Sequence, residues 1–402
     1  MAPSGQDISR RIAVVGAGLA GLAAAEALQR AGCEVVVLEA RDWVGGRVHS
    51  RELPGGAVVE MGAEFVLPGN TVVEETARRL GLGRWEKGMA YGRREPRGGG
   101  AVTEDDLRTA AAAIARALRD PEVERGSAAA LLDRLDASAA VREAIRARVE
   151  VSTGARAQDV GADELAGVAA FSDAPSHGIA GGNQSLAWAL AAGLDVRLSS
   201  PVTRVDLRDD GVTVQGELAV DAVVIAVPAP VVATIDGIPA RVRETVARVR
   251  YGHAAKLFVP LRERPAPSAV LSVPERYWTW TARAGGDVQP VVNAFAGSRP
   301  ALDALGVGEG PDRWLASVAA LRPDLPLAPN DLVLSTWSDD PWARGAYSVH
   351  TPGGNDPGLA ERYGRVVLAG EYTAGKYAAL MEGALRSGAR AAAQLLLTER
   401  SS

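Results

Sequence analysis

The chain has 402 residues, of which 47% are hydrophobic and 23% charged, a composition typical of a globular protein with enough apolar side chains for two or three domains. Its formal net charge of −5 excludes an overall basic nucleic-acid-binding protein, which would need a cationic surface for the phosphates. Because Cys33 is the only cysteine and the four histidines form no HExxH pair, we expect neither a disulfide framework nor a metal site.

The sequence indicates a cytoplasmic protein. Its longest apolar stretch, residues 12–25, has 14 residues, whereas a membrane-spanning helix needs about 20. The N-terminal residues lack the apolar core of a secretory signal, and a single cysteine suits a reducing compartment. Nearly all basic residues are arginine, so the only three lysines, Lys87, Lys256 and Lys376, each stand out.

The first predicted elements form a βαβ unit. Residues 11–15 predict a buried parallel strand, residues 22–30 a helix that ends at Gly32, and residues 34–38 a second strand. The loop between the first strand and the helix consists of Gly16, Ala17, Gly18, Leu19, Ala20 and Gly21. In this context the three glycines make a tight turn, let the backbone approach a pyrophosphate, and let helix and strand pack closely.

This order of strand, glycine-rich loop, helix and strand predicts that the chain binds a dinucleotide. The N–H groups at the start of the helix would bind phosphates. Glu39, at the end of the second strand, would accept hydrogen bonds from the ribose hydroxyls and repel a 2′-phosphate. The alternative is a glycine-rich turn followed by an acid with no such role.

The segment after the second strand distinguishes between cofactors. Residues 38–50 read LEARDWVGGRVHS, and this run resembles the flavin amine oxidase family, which includes monoamine oxidases, polyamine oxidases and L-amino acid oxidases. The resemblance implies that Ala40, Gly45 and Gly46 lie against the cofactor, and that Arg41 and Arg47 neutralise its diphosphate. The alternative is an ordinary loop with solvated arginines.

The resemblance extends over nearly the whole chain. Six further blocks resemble the same family: VVEMGAEFV (58–66), the stretch from GGNQ to TVQG (181–216), AVVIAVPAP (222–230), YGHAAKLFVPL (251–261), TWSDDPWARGAYS (336–348) and the C-terminal stretch from RVVL to ARAA (365–392). The implied fold is α/β, with a discontinuous Rossmann-type FAD-binding domain built on a doubly wound parallel sheet, and an α+β substrate domain.

The resemblance also implies the domain boundaries. The FAD-binding domain would comprise residues 1–75, 176–247 and 345–402, and the substrate-binding domain residues 76–175 and 248–344. Apolar residues three and four apart predict that the first substrate segment is mostly helical, and the second contains β-like runs around Lys256 and Trp278. A homodimer is left open.

Further FAD contacts are implied by the matching blocks. The backbone of the Met61–Glu64 segment would lie against the flavin ring, Val202 would meet the adenine, and the last helix would aim its N-terminus at the flavin pyrimidine. The positions concerned are Met61, Gly62, Ala63, Glu64, Val202, Trp337, Gly370, Glu371, Leu380 and Met381. The cysteine that bonds covalently to FAD in monoamine oxidases is here Ala346, so we expect noncovalent FAD.

Lys256 is the first catalytic candidate. It stands in an otherwise apolar strand, where a charge that faces the core is costly without a partner. The resemblance implies that this lysine holds a water near flavin N5. The alternative is a lysine on an edge strand that faces solvent.

Tyr347 is the second candidate, as one wall of the family's aromatic cage beside the flavin. The second wall would stand at Leu380, so the cage is incomplete unless Tyr377, Trp337 or Trp342 fills it. Phe65 stands where L-amino acid oxidases carry an arginine for the substrate carboxylate, which argues against an amino acid unless another arginine substitutes.

These residues predict an FAD-dependent amine oxidase that transfers hydride from the carbon next to an amine nitrogen to flavin N5, followed by imine hydrolysis and reoxidation by O2 with release of H2O2. The expected partners are a small-molecule amine and O2, without nucleic acid or membrane. Alternatives are an L-amino acid oxidase, an FAD-dependent biosynthetic dehydrogenase or desaturase, and a non-enzymatic flavoprotein.

Overall fold

The computed structural model describes residues 10–121, 126–168, 173–354 and 356–397. Its strands are β1 (Arg11–Val15), β2 (Glu34–Leu38), β3 (Ser50–Glu52), β4 (Val58–Glu60), β5 (Arg84–Glu86), β6 (Glu95–Arg97), β7 (His177–Ile179), β8 (Asp195–Arg197), β9 (Val205–Leu207), β10 (Val212–Val214), β11 (Leu218–Val220), β12 (Ala222–Ile225), β13 (Arg250–Tyr251), β14 (Ala254–Pro260), β15 (Ser268–Ser272), β16 (Tyr277–Thr281), β17 (Arg283–Ala284), β18 (Asp287–Val288), β19 (Val291–Gly297), β20 (Val333–Thr336), β21 (Ser348–Val349), β22 (Arg362–Tyr363) and β23 (Val366–Leu368). Its α-helices are α1 (Leu19–Arg30), α2 (Thr71–Arg79), α3 (Glu104–Arg119), α4 (Ala128–Arg134), α5 (Ala139–Thr153), α6 (Leu165–Val168), α7 (Ser185–Ala191), α8 (Ala229–Val232), α9 (Ala240–Ala247), α10 (Arg299–Ala304), α11 (Asp312–Leu321) and α12 (Met381–Leu396).

The chain divides into two compact units. Of the described residues, unit 1 comprises 10–48, 186–249 and 356–397, and unit 2 comprises 49–121, 126–168, 173–185 and 250–354. The chain therefore enters each unit more than once. The assignment of an FAD-binding and a substrate-binding domain stays a prediction.

Unit 1 is built on a six-stranded sheet of order β22-β23-β12-β1-β2-β8, in which every pairing is parallel except the one between β22 and β23. The central strands are runs of valine, isoleucine, leucine and alanine, as expected for parallel strands buried on both faces. Three antiparallel strands, β9 to β11, form a separate small sheet in the same unit.

Helices α1 and α12 pack against each other at a small-residue contact. A Cβ added to Gly388 would come within 2.2 Å of the carbonyl oxygen of Ala20. The two backbones can therefore approach only because this position has no side chain. Helix α1 begins at Leu19, three residues before the start that the sequence predicted, because Gly18 adopts an extended N-cap conformation.

Unit 2 contains a second six-stranded sheet, of order β20-β14-β19-β16-β15-β6. Its strands pair antiparallel except for β15 with β6. One face packs Leu257 and Val259 against Trp314 of α11. The opposite face carries Phe258, Trp278 and Trp280, as the alternation of side chains along a strand requires.

A helical layer completes unit 2, and its helix starts are fixed by local caps. Thr103 and Asp106 form a reciprocal capping box at the start of α3, and Ser138 caps α5. Helix α5 ends at Gly154 in the left-handed conformation, with φ 68°. None of the described helices is long and apolar enough to cross a bilayer.

Candidate functional site

The glycine-rich turn of unit 1 lies against the second glycine pair. The backbone N–H of Gly45 donates to the carbonyl oxygen of Ala17 at 2.8 Å, and Gly18 and Gly45 form a parallel bridge. Gly45 and Gly46 have φ values of 115° and 59°, a region that L side chains rarely adopt. The two segments predicted to approach the cofactor are thus adjacent.

Two glycines of the turn, Gly16 and Gly21, have no space for a side chain. A Cβ at Gly21 would lie 1.9 Å from the carbonyl oxygen of Gly16, whose own φ is 100°. Helix α1 begins within this glycine-rich sequence, at Leu19, and Gly18 provides no side-chain cap, so the first N–H groups of the helix are available to a phosphate. This geometry fits the diphosphate of a dinucleotide.

Glu39 lies at the carboxyl end of β2, beside the turn. Its Oε2 accepts from the Ala17 N–H at 2.7 Å, and its Oε1 accepts from the Arg41 N–H at 2.9 Å. The guanidinium of Arg41 is 3.9 Å from the same carboxylate and also lies over the ring of Trp43. The carboxylate is therefore held at the strand end where a ribose would be recognised.

The segment that leads to Val202 runs beside Glu39. Ser200 donates its backbone N–H to the Glu39 carbonyl oxygen at 2.7 Å, and Ser199 donates to the Arg41 carbonyl oxygen at 2.8 Å. Val202 itself is buried. The predicted ribose and adenine contacts therefore come together within unit 1.

Arg47 and Glu371 join two distant parts of unit 1. Arg47 Nη1 donates to Glu371 Oε1 at 3.0 Å, and the other carboxylate oxygen accepts from the Ala379 N–H at 2.8 Å. Ala379 has a positive φ of 64°, and the chain then passes through Leu380 into α12 at Met381. Helix α12 has no side-chain cap at Leu380, so its N-terminus can face an electronegative group.

A second cluster, the lysine–glutamate cluster, lies in unit 2 and consists of Glu60, Glu64, Lys87 and Lys256. Lys87 Nζ lies 2.6 Å from Glu64 Oε1, and Lys256 Nζ lies 3.0 Å from Glu64 Oε2. Lys256 also donates to the Glu60 carbonyl oxygen at 2.8 Å. It is 4% exposed and lies on β14 between β19 and β20, so the alternative of an edge-strand lysine that faces solvent is wrong.

The charges of this cluster shift each other's pKa values. Burial lowers the pKa of Lys256, opposed by the negative charge of Glu64. Burial disfavours the Glu64 carboxylate, but the two lysine charges outweigh it and hold its pKa below the usual value. Burial and the Glu64 charge raise the pKa of Glu60 to about 7, so this acid titrates near neutrality.

The Met61–Glu64 segment is fixed by the tryptophan-rich block. Trp337 Nε1 donates to the Met61 carbonyl oxygen at 3.1 Å, and Ser335 Oγ donates to the same oxygen at 3.2 Å. On the other side, Asn183 Nδ2 donates to the carbonyl oxygens of Ala63 and Glu64 at 3.0 Å each. The backbone from Met61 through Gly62 and Ala63 to Glu64 is therefore held from two directions.

Tyr347 is half-buried and oriented by a helix of unit 2. Its hydroxyl donates to the carbonyl oxygen of Ser152 in α5 at 2.7 Å. The predicted second cage wall, Leu380, belongs to unit 1 and is 36% exposed. The predicted residues thus fall into a turn-and-carboxylate group in unit 1 and a group around Lys256 and Tyr347 in unit 2.

Sequence reasoning missed two members of the lysine–glutamate cluster, Lys87 and Glu60. The signal for Lys87 was its rarity, because two of the chain's three lysines meet on one carboxylate. Glu60 precedes the matched Met61–Glu64 segment, and its carboxylate accepts from the Asn183 N–H at 2.7 Å and from Ser50 Oγ at 2.8 Å. No local pattern predicts those distant partners.

The chain is similar to proteins that are already known. The sequence profile of the family described as flavin containing amine oxidoreductase matches residues 19–396. A putative flavin-containing monoamine oxidase of Mycobacterium tuberculosis (strain H37Rv) is 28% identical over an alignment of 439 positions that covers 96% of each chain. Putrescine oxidase of Kocuria rosea is 45% identical over 80 residues, which are 20% of this chain and 16% of that protein.

Two solved structures have the same fold. Wild-type putrescine oxidase bound to putrescine superposes with a TM-score of 0.81 at 22% identity, covering 97% of this chain and 99% of that one. Cyclohexylamine oxidase from Brevibacterium oxydans IH-35A gives 0.82 at 21% identity, covering 98% and 100%. The predicted α/β fold class is confirmed.

Proposed function

The chain belongs to the flavin-containing amine oxidoreductase family, as its sequence blocks predicted, and from this premise we propose that it oxidises a small-molecule amine with noncovalently bound FAD. It is thus an FAD-dependent oxidoreductase that acts on amines. When bound, FAD supplies the redox chemistry, in which a hydride from the α-carbon and a proton from the nitrogen leave the amine and reduce O2 to H2O2. Water then converts the imine to a carbonyl compound and ammonia or a smaller amine.

The residues of unit 1 would hold the dinucleotide. The turn Gly16–Gly21 and the start of α1 would donate N–H groups to the diphosphate, and Glu39 would accept from the ribose hydroxyls. Arg47, paired with Glu371 at 3.0 Å, would add positive charge beside the diphosphate. The N-terminus of α12 would stabilise negative charge on the flavin pyrimidine.

The observation that carries the proposal is the buried Lys256. An ammonium group offers three donors, and within the described residues two are used, by Glu64 and by the Glu60 carbonyl oxygen. The third would hold the water that the family resemblance assigns to flavin N5. Desolvation of a buried charge is costly, which supports a role for Lys256 in the reaction in addition to its pair with Glu64.

The position of the only cysteine supports noncovalent binding. Ala346 replaces the residue that bonds to FAD in monoamine oxidases. Cys33 precedes β2, whereas the glycine-rich turn and Glu39 lie at the carboxyl ends of β1 and β2. A five-residue strand, roughly 16 Å long, separates those two edges of the sheet. Denaturation should therefore release all FAD into the supernatant.

A dehydrogenase or desaturase is the second candidate. Leu380 stands where the family's second cage aromatic is expected, so the cage has no aromatic residue at that position. An open cage suits a substrate larger than a simple amine. This alternative uses the same FAD-binding residues and a different electron acceptor.

The proposed function is tested by anaerobic titration of the purified holoenzyme with amines, polyamines and amino acids. Loss of the oxidised flavin spectrum with one class identifies dehydrogenation without assuming the acceptor. Admission of air should then restore the spectrum with one H2O2 per substrate consumed. Bleaching that air does not reverse would favour the dehydrogenase, and a flavoprotein bleached by no member of the panel would contradict amine oxidation.

A further inference from the structure

The carboxylate of Glu64 is shared between two buried ammonium groups. Lys87 Nζ donates to Oε1 at 2.6 Å, and Lys256 Nζ donates to Oε2 at 3.0 Å. All three side chains are buried. A pair of Glu64 with Lys256 alone would already be electrically neutral, so the second buried lysine requires a separate explanation.

Lys87 is held at this carboxylate by its backbone and by the space beside its side chain. Its N–H donates to the Ser176 carbonyl oxygen at 2.8 Å, and its carbonyl oxygen accepts from the Arg283 N–H at 2.7 Å. A Cβ added to Gly178 would lie 3.0 Å from Lys87 Cε, so the lysine stem packs against a residue that has no side chain. Among the described residues, Glu64 is the only carboxylate in a salt bridge with Lys87.

The strands around Lys256 contribute no charge. Its cross-strand neighbours are Phe295 on β19 and Ser335 on β20, and its ammonium lies 5.5 Å from the ring centroid of Trp280 on β16. Its second hydrogen bond within the described chain goes to a backbone carbonyl oxygen, that of Glu60. The charges that act on Lys256 therefore come from segments outside its own sheet.

Three charged groups act on Lys256, and their effects differ in sign. Burial lowers the pKa of Lys256, the negative charges of Glu64 and Glu60 raise it, and the positive charge of Lys87 lowers it further. Burial disfavours the Glu64 carboxylate, but the charges of Lys87 and then Lys256 hold its pKa below the usual value. Lys87 thus keeps Glu64 ionised and at the same time opposes the effect of Glu64 on Lys256.

We propose that Glu64 and Lys87 position Lys256 for the reaction: Glu64 orients its ammonium, and Lys87 offsets the charge of Glu64. This proposal rests on the proposed function for the reaction itself and adds two residues that act through Lys256. A lone carboxylate beside Lys256 would orient the ammonium but cancel its charge. Two ammonium groups on one carboxylate leave these three side chains with a net positive charge, which stabilises negative charge that develops beside them.

The first test observes the protonation of Lys256 directly. The chain has three lysines, so holoenzyme labelled with 13C at lysine Cε gives three NMR signals, each assigned by its loss in Lys87→Met, Lys256→Met or Lys376→Met. In Lys87→Met the titration of the Lys256 signal should move to higher pH, and in Glu64→Gln it should move to lower pH. Lys87→Arg keeps the positive charge and should leave the titration close to that of the wild type.

The second test measures flavin reduction by 2-phenylethylamine and 1,4-diaminobutane, and reoxidation by O2, in the holoenzyme. In the half-reaction that Lys256→Met slows, Glu64→Gln should be slower by up to about 100-fold, because the reacting geometry is lost. Lys87→Met should be slowed by a smaller factor, which Lys87→Arg restores. The KM for the amine should stay unchanged, since neither side chain touches the substrate.

A double-mutant cycle shows whether Glu64 acts through Lys256. Lys256→Met combined with Glu64→Gln should be no slower than Lys256→Met alone, because the residue to be oriented is already absent. Glu86→Gln is the matched control, since Glu86 ends β5 directly before Lys87 and is exposed. It should change neither the rates nor the titration of Lys256.

The outcomes separate the two proposals. Wild-type rates in both Glu64→Gln and Lys87→Met, or a Lys256 titration that moves in the same direction in both, would overturn the positioning role and leave amine oxidation intact. If no amine reduces the flavin while the titration moves in opposite directions, the control of Lys256 by Glu64 and Lys87 stands and the proposed oxidation fails. Lys87→Met retains the pair of Glu64 with Lys256, so it decides the question even if Glu64→Gln does not fold.

Discussion

Lys256 Nζ lies 3.0 Å from Oε2 of Glu64, and both side chains are buried. Lys87 occupies the other oxygen of the same carboxylate at 2.6 Å. With Glu60 the lysine–glutamate cluster contains two acids and two lysines, so its charges can balance without solvent. A change at one member therefore alters the electrostatic environment of the other three.

Replacement of Lys256 by methionine is expected to slow flavin reduction or reoxidation by about 100-fold, because a positioned proton-handling group typically contributes that much. The protein should stay folded and keep its FAD, since Glu64 retains Lys87 as a partner. Anaerobic stopped-flow absorbance measures the two half-reactions separately. Lys376→Met is the matched control, because Lys376 is exposed. Unchanged turnover in Lys256→Met would remove this lysine from the mechanism.

Glu60 should make stability depend on pH between its ordinary pKa and its value of about 7 in the folded protein. The fold favours the protonated acid, so its contribution to stability is complete below pH 4.5 and is lost as pH rises through about 7. Glu60→Gln keeps a neutral side chain at every pH. Its unfolding free energy should therefore rise relative to wild type, by at most about 1.4 kcal/mol per pH unit within that window.

Denaturant unfolding of both holoenzymes from mildly acidic to mildly alkaline pH measures this difference. Glu217→Gln is the control, because Glu217 is exposed and its replacement should not change the pH profile. Parallel stability profiles for wild type and Glu60→Gln would show that folding does not raise the pKa of Glu60.

Local signals made the βαβ unit predictable. The bounds of β1 and β2, 11–15 and 34–38, agree with the sequence prediction because glycines and apolar runs define them within a few residues. The start of α1 was placed too late, since Gly21 in its first turn lowers helix propensity. Here the close packing against Gly16 outweighs propensity.

Contacts between distant segments were not predictable from one sequence. Glu64 meets Lys87 and Lys256, which are 23 and 192 positions away. Arg94 is brought to Trp278 because β6 pairs with β15 and β15 with β16. The sequence showed these residues as an isolated lysine, an arginine among many and a tryptophan in a strand. The register of the sheet brings Arg94 and Trp278 together, and a local pattern in the sequence does not show that register.

Arg47→Met is expected to weaken FAD binding by roughly 10- to 150-fold, the effect of losing one charge-assisted hydrogen bond to a diphosphate. Titration of the apoprotein with FAD measures the dissociation constant, and the loss should shrink at high ionic strength because added salt screens the interaction. Arg30→Met is the control, since Arg30 lies at the far end of α1 and pairs with Glu26 near solvent. Unchanged affinity of Arg47→Met for FAD would show that Arg47 pairs with Glu371 but does not bind the diphosphate.

Gly21→Ala should abolish stoichiometric FAD binding and lower the melting temperature of the holoenzyme. The added Cβ would lie 1.9 Å from the Gly16 carbonyl oxygen and 3.2 Å from the Cβ of Ala226, so the turn must open and the α1 N-terminus must move. Overpacking of this kind costs about 1–3 kcal/mol or more.

Gly55→Ala is the matched control, because nothing lies within 4 Å of the Cβ it adds and its backbone is not in the left-handed region. The visible spectrum gives FAD content and thermal unfolding gives stability. A Gly21→Ala protein that binds FAD as tightly as wild type would contradict the assignment of this turn to the diphosphate.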